Sequence, residues 1–226
     1  ARVLKLPATP QRIEGFDISN ISGTFAVASL VSFKQGRPDR ANYRRFKIKS
    51  VTGQDDFASM AEVVRRRYTR LLNESKDESR EARAEGGEAI PPELQKLVDE
   101  VGAKVRRGRM RSESRLQAAP DRLKPELPTA NLPDLILIDG GKGQLNAACA
   151  ELAKLGLSHL AVIGLAKEFE EIYRPGEPEP LRLGLNHPAV KLLQRVRDES
   201  HRVANSFNAQ LRIKKISESI LDDFPG

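Results

Sequence analysis

The sequence predicts an α/β fold built on one mixed sheet, three antiparallel strands followed by parallel ones, with flanking helices. Three observations carry this. Residues 12–50 are β-rich and broken by Gly-containing turns. A helical apolar period follows, and after a charged stretch the pattern alternates strand, helix, strand, hairpin and helix. At 226 residues the chain can bury a substantial core.

The first strand is "RIEGFDIS", closed by "NISG"; the second is "TFAVASLVSFK", closed by "QGRPD". The third is "YRRFKIK", where Arg45, Lys47 and Lys49 alternate with Phe46 and Ile48, so one face is wet and basic. Such short connections make an antiparallel meander. "TGQDDFASMAEVVRRRYTRLLN" then takes a helical period, with Asp55 or Asp56 as N-cap. Its apolar stripe is Phe57, Met60, Ala61, Val64, Tyr68 and Leu71, and Arg65, Arg66, Arg67 and Arg70 occupy the other face.

Residues 74–126 hold 12 basic and 12 acidic side chains with few large apolar ones, and read as an inserted charged arm, helical around "PPELQKLVDEVGAKVRR". Beyond it "DLILID" is a fully buried strand, "QLNAACAELAKLG" a helix closed by Gly156, and "HLAVIGLAK" a second buried strand. "EIYRPGEPEPLRL" is a hairpin, and the last helix runs from Pro188 to about Lys215. This element order is that of a ribonuclease H-like mixed sheet. A doubly wound nucleotide-binding fold does not open with a meander.

Lys and Arg exceed Asp and Glu by 38 to 31, with a pI near 9.6, which favours a polyanionic partner. The single cysteine, Cys149, excludes an internal disulfide and a cysteine-based zinc cluster. No apolar run is long enough to span a bilayer. The first residues lack both a signal-peptide core and an initiating Met, and the chain stops on Pro-Gly, so both ends read as cuts from a longer protein.

Three positions carry candidate chemistry. Asp17 stands mid-strand in "GFDISN", pointing opposite to Phe16 and Ile18, and Asp139 ends "LILID". In the expected sheet these strands are neighbours. Two carboxylates that close repel unless a cation lies between them, and hard oxygens suit Mg²⁺ or Mn²⁺. His201 lies off the apolar stripe of the final helix, in a polar row with Gln194, Arg197, Asn205 and Asn208. "DGGKGQ" falls short of the G-x-x-x-x-G-K-[ST] phosphate loop, so its glycines are expected to let a polynucleotide backbone approach while Lys142 meets a phosphate.

"RIEGFDISNISGT", "YRRFKIKSVTGQDDFASM", "LPDLILIDGGKGQL", "PGEPEPLRL" and "LLQRVRDESHRVANSF" resemble, in this order, the signature blocks of the nuclease half of the UvrC family, from the excinuclease ABC system. The resemblance implies a metal-dependent endonuclease that incises DNA 5′ to a lesion in nucleotide excision repair, in the bacterial cytoplasm. It implies an Asp17–Asp139–His201 active site with Asp17 and Asp139 as metal ligands, and Asp56 as a further acidic position. Its partners would be damaged double-stranded DNA and UvrB, the helicase of the same system, the latter through parts of the family's chain missing here. On this reading residues 1–11 are a linker remnant, and 12–73 with 131–216 form one endonuclease domain. Residues 74–130 are an insertion, and 217–226 begin a linker to a helix-hairpin-helix domain.

The expected chemistry is metal-assisted phosphodiester hydrolysis, with one held cation rather than a preformed pair. His201 would be the general base, since imidazole ordinarily titrates near neutrality. Lys142, Arg197, Arg202 and Asn205 would meet DNA. Two rivals share the fold: a stand-alone nuclease resembling endonuclease V, and a non-catalytic DNA-binding module.

Overall fold

The computed structural model describes residues 1–21, 25–51, 53–85, 132–167 and 169–222. The chain divides into two compact units, Ala1–Arg70 with Leu132–Gly226, and Leu71–Asn131. Of the second, the described part is residues 71–85, the last turns of a helix that ends at Glu85. The expected helix at "PPELQKLVDEVGAKVRR", the "NISG" break beyond Ile21 and the final "FPG" lie outside the described residues.

Seven strands form one sheet among the described residues. They are β1 (Arg12–Ile21), β2 (Phe25–Lys34), β3 (Arg37–Pro38), β4 (Arg44–Lys47), β5 (Leu135–Asp139), β6 (Val162–Ala166) and β7 (Glu171–Tyr173). The order is β3-β2-β1-β5-β6-β7, with β4 also paired to β2. β1, β2 and β4 make the expected meander, while β1–β5 and β5–β6 are parallel. The hairpin closes as β7 plus a single bridge, Ile172 to Leu181. The mixed ribonuclease H-like sheet predicted by the element order is the one present.

Alternation along the strands divides the core. Ile13, Leu135, Leu137, Ile163 and Leu165 face the last helix, α3 (Pro188–Asp222), and pack with its Val190, Leu193, Val196 and Val203. On the opposite face Phe16 meets Tyr68 of α1 (Asp56–Glu85), ring centroids 6.3 Å apart. A third helix, α2 (Lys142–Lys154), places Leu145 against Gly164 on β6. Gly15 sets the approach of α3. A β-carbon there would stand 2.6 Å from Val196 Cγ1, so only glycine lets the helix lie this close to β1.

The register of the parallel pair is clamped at its start. Asp134, just before β5, accepts the backbone N–H groups of Gln11 (2.7 Å) and Arg12 (2.8 Å), and its own N–H donates to Arg12 O (2.9 Å). Helix α1 begins on Asp55, whose Oδ1 accepts the N–H groups of Phe57 and Ala58 at 3.0 and 2.9 Å. His187 does the same for α3, its Nδ1 accepting the Ala189 N–H at 3.2 Å.

Several expected details are corrected. Phe57 is 57% exposed, and the buried stripe of α1 is Met60, Val63, Val64, Tyr68 and Leu71. Arg67 leaves the wet face: it is 5% exposed and donates to the fully buried Glu14 at 2.6 Å, beside Tyr68 Oη at 3.0 Å. A buried carboxylate needs such partners because burial penalises an unpaired charge heavily. Helix α1 also continues past Asn73 into the charged segment as far as Glu85, and α3 runs on to Asp222. His159 sits exposed in the turn before β6 rather than within it.

Candidate active site

Parallel pairing of β1 and β5 runs from Ile13–Leu135 to Phe16–Ile138. Asp17 and Asp139 each follow the last pair and therefore stand side by side. Both lie on the face shared by Ile13, Leu135 and Leu137, which α3 covers. The close seat of α3 over Gly15 brings His201 to the same point. One donor atom from each of Asp17, Asp139 and His201 lies within 4.8 Å of the others. His201 Nδ1 is 3.2 Å from Asp17 Oδ2. The carboxylates are buried, at 3% and 7% exposure, while the imidazole is exposed.

Burial first, then the charge of Asp139 and a hydrogen bond with its carboxyl, push Asp17 up to about 8; Lys167 pulls it down and Asp56 adds a smaller upward push. Asp139 Oδ2 is buried and accepts no hydrogen bond. Lys167 Nζ approaches that oxygen to 3.5 Å, a loose ion pair whose lysine side chain is 60% exposed. A carboxylate forced to keep its proton beside one with an orphaned oxygen is a site short of positive charge. Two hard oxygens and an imidazole nitrogen in this arrangement fit a divalent cation such as Mg²⁺ or Mn²⁺, with Asp17 and Asp139 as its holders.

The remaining sequence candidates are distributed around this cluster. Asp56 is the first residue of α1; its charge reaches Asp17, but it supplies no donor to the cluster. Lys142 opens α2 and donates to Pro178 O in the hairpin turn, its ammonium 5.9 Å from the Tyr173 ring centroid. Arg197 is held by two acidic partners: Nη1 donates to both oxygens of Glu170 at 2.7 and 2.6 Å, and Nη2 to Asp198 at 3.0 Å. Arg202 donates to Glu199 at 2.8 and 2.7 Å. Asn205 is exposed on α3, one turn beyond His201. Gln144 fills the side of Gly140 and Phe57 that of Gly143, leaving only Gly141 open.

One residue of the site escaped the sequence reading, and so did the burial of another. Lys167 follows β6 as Asp139 ends β5, two positions past Leu165, the register partner of Asp139. A cation just past a parallel strand was the available signal. Asn208, the last of the polar row on α3, is buried and donates from Nδ2 to Ser19 Oγ at 2.6 Å; its Oδ1 is buried without a hydrogen bond. The polar row marks Asn208, but nothing local reveals its burial, since its partner lies on β1.

The model of the UvrC RNase H endonuclease domain matches residues 1–204. UvrABC system protein C of Dehalococcoides mccartyi (strain BAV1) is 44% identical over 223 residues, 99% of this chain and 29% of its own length. The proteins of that name from Synechococcus sp. (strain JA-3-3Ab) and Methanosphaera stadtmanae are each 40% identical over the whole of this chain. The chain thus spans about three tenths of the length of the curated relatives it matches. Endonuclease V of Ciona intestinalis, solved with inosine-containing DNA, superposes over 70% of this chain and 46% of its own. Its TM-score is 0.31 at 17% identity, a likeness too slight to carry weight. With the family model covering both carboxylate strands and the part of the last helix that bears His201, this chain belongs to the UvrC RNase H endonuclease domain family.

Proposed function

We propose that this chain is the catalytic domain of an excision nuclease, hydrolysing a phosphodiester 5′ to a lesion in duplex DNA with Mg²⁺ or Mn²⁺ held by Asp17 and Asp139. One observation carries the reading: three donors from two parallel strands and the covering helix meet within 4.8 Å. The relatives' name supports work within a UvrABC system, which brings UvrB as the partner; the cytoplasm as compartment follows from the resemblance. Among the described residues no helix is long and apolar enough to cross a membrane. The split of the chain into Ala1–Arg70 with Leu132–Gly226 and Leu71–Asn131 supports reading 12–73 and 131–216 as one endonuclease domain with the segment between as an insertion.

A bound divalent cation would polarise the scissile phosphate and acidify a coordinated water. Asp17 and Asp139 hold their oxygens in place from strands whose register is clamped at Asp134. Asp17 also orients the imidazole through Nδ1, which leaves Nε2 of His201 to accept a proton from the attacking water. Lys167 sets a positive charge beside Asp139, where a phosphate oxygen gains charge.

The test is incision of a lesion-bearing duplex with the other proteins of the excision system supplied. Alanine at Asp17 or Asp139 should lower 5′ incision by more than roughly 10³-fold with an unchanged circular dichroism spectrum. His201→Ala should lower it roughly 10²–10⁴-fold. Full activity in either aspartate variant overturns the assignment.

A further inference from the structure

A groove of about 640 Å³ lies on the far flank of α3 from the carboxylates, lined by Arg40, Tyr43, Arg44, Arg45, Arg202 and Ser206. Its place follows from strand register. Asp17 pairs with Ser29, and Ser29 pairs with Arg45, so the three are aligned across β1, β2 and β4 on one face of the sheet. Ser29 Oγ donates to Ser200 O at 2.7 Å, which puts α3 directly above β2. His201 reaches down to Asp17 on one side of the helix. On the other, Arg45 donates to Gln210 at 2.8 Å and stacks 5.7 Å from the Phe207 ring centroid.

The groove is built for an anion. It is lined by four guanidinium groups and no carboxylate, and Glu199 beside it accepts from Arg202 and from Tyr43 Oη at 3.1 Å. Arg44 Nη1 is anchored on the carbonyls of Ala41 and Tyr43 at 2.9 and 2.7 Å, so its fork is already oriented. Preoriented guanidinium forks match the bidentate geometry of phosphate and carboxylate oxygens, and on a DNA endonuclease the anion at hand is phosphate. Two strand spacings separate Asp17 from Arg45, roughly 10 Å, which is about the diameter of the helix between them. A DNA major groove roughly 12 Å wide admits such a helix with backbone on both sides.

We propose that the arginine groove is a second phosphate subsite, holding duplex DNA backbone across α3 from the scissile phosphate. This rests on the reading of the chain as a DNA endonuclease. The subsite contributes binding and orientation, and takes no part in bond cleavage.

The experiment measures affinity of the full chain for labelled duplex DNA against salt, in an Asp139→Asn background that blocks cleavage. Arg40→Ala with Arg44→Ala should weaken binding roughly tenfold and reduce the slope of log K against log salt by about one for each phosphate no longer neutralised. Arg65→Ala, an exposed arginine on α1 at the opposite face, is the control and should change neither. Ser206→Glu sets a carboxylate in the groove and leaves every arginine in place, so weakened binding there excludes misfolding of the arginine variants. Unchanged affinity and slope in both groove variants overturn the subsite, as does an equal loss in the Arg65 control. Loss of binding to an acidic peptide but not to DNA overturns it too. These outcomes differ from failure of the nuclease reading, which shows instead as cleavage surviving the Asp17 and Asp139 alanine variants.

Discussion

Asp17 holds a proton that most carboxylates have released by neutral pH, because burial and the neighbouring charge of Asp139 both oppose ionisation. Its carboxyl is raised from 3.8 to about 8, so the folded state binds this proton more tightly than the unfolded state. The stability this contributes is complete below the unfolded value and is lost as pH rises through about 8. Asp17→Asn, melted in chelator, should therefore raise the Tm at pH 8 by roughly 3–10 °C and leave it unchanged near pH 3. A pH-independent difference would rule out this account. The same residues show what a pattern of residues can and cannot reveal. Asp17 and Asp139 stood out because a carboxylate interrupting an apolar strand conflicts with its surroundings. Lys167 did not stand out, since a lysine after a strand conflicts with nothing.

Helix α3 brings His201 to the carboxylates only because β1 carries no side chain at Gly15. Gly15→Val would drive a β-carbon toward Val196 Cγ1 at 2.6 Å and Val31 Cγ2 at 3.2 Å. The expected loss is about 1–3 kcal/mol in urea unfolding, with incision falling further as the imidazole is lifted. Val196→Ala in the same chain should recover part of both. On the other face Glu62 ties α1 to the segment after β4. Burial alone would raise its carboxyl, yet the Ser50 hydroxyl and N–H, the Lys49 N–H and Arg66 hold it down at about 2. A depressed carboxyl contributes stability above its unfolded value of 4.5 that is lost as pH falls toward 2. Glu62→Gln should thus destabilise by about 1–3 kcal/mol at pH 7, with the gap closing between pH 4.5 and 2 in acid titration. The elements themselves were readable, since alternation and helical period report burial directly. Their ends were read short: both long helices run on into charged sequence where no core-facing stripe marks the boundary.

For the molecule as a whole, the sheet brings together an acidic cluster on one flank of α3 and an arginine groove on the other. A cation binding at the cluster binds only the folded state, so it must raise stability by mass action. Mn²⁺ at a hundred times its Kd should add about 2.7 kcal/mol to the unfolding free energy of the native chain. In Asp139→Asn most of that gain should vanish, and an equal gain in both would place the ion elsewhere. Calorimetry with and without chelator reads the difference.

Periodicity and the order of elements determined the mixed sheet and the two strands bearing carboxylates, because burial on a given face demands a given spacing of apolar residues. Tertiary structure decided which charges are partners. Arg67 reads as a wet helix residue until it meets Glu14, 53 positions away, and nothing near Arg197 in the chain announces its pairing with Glu170, 27 positions away. Periodicity records how a residue faces its own element's surroundings. The counterion across a packed interface is set by how elements are stacked, and that information is absent from any local stretch of chain.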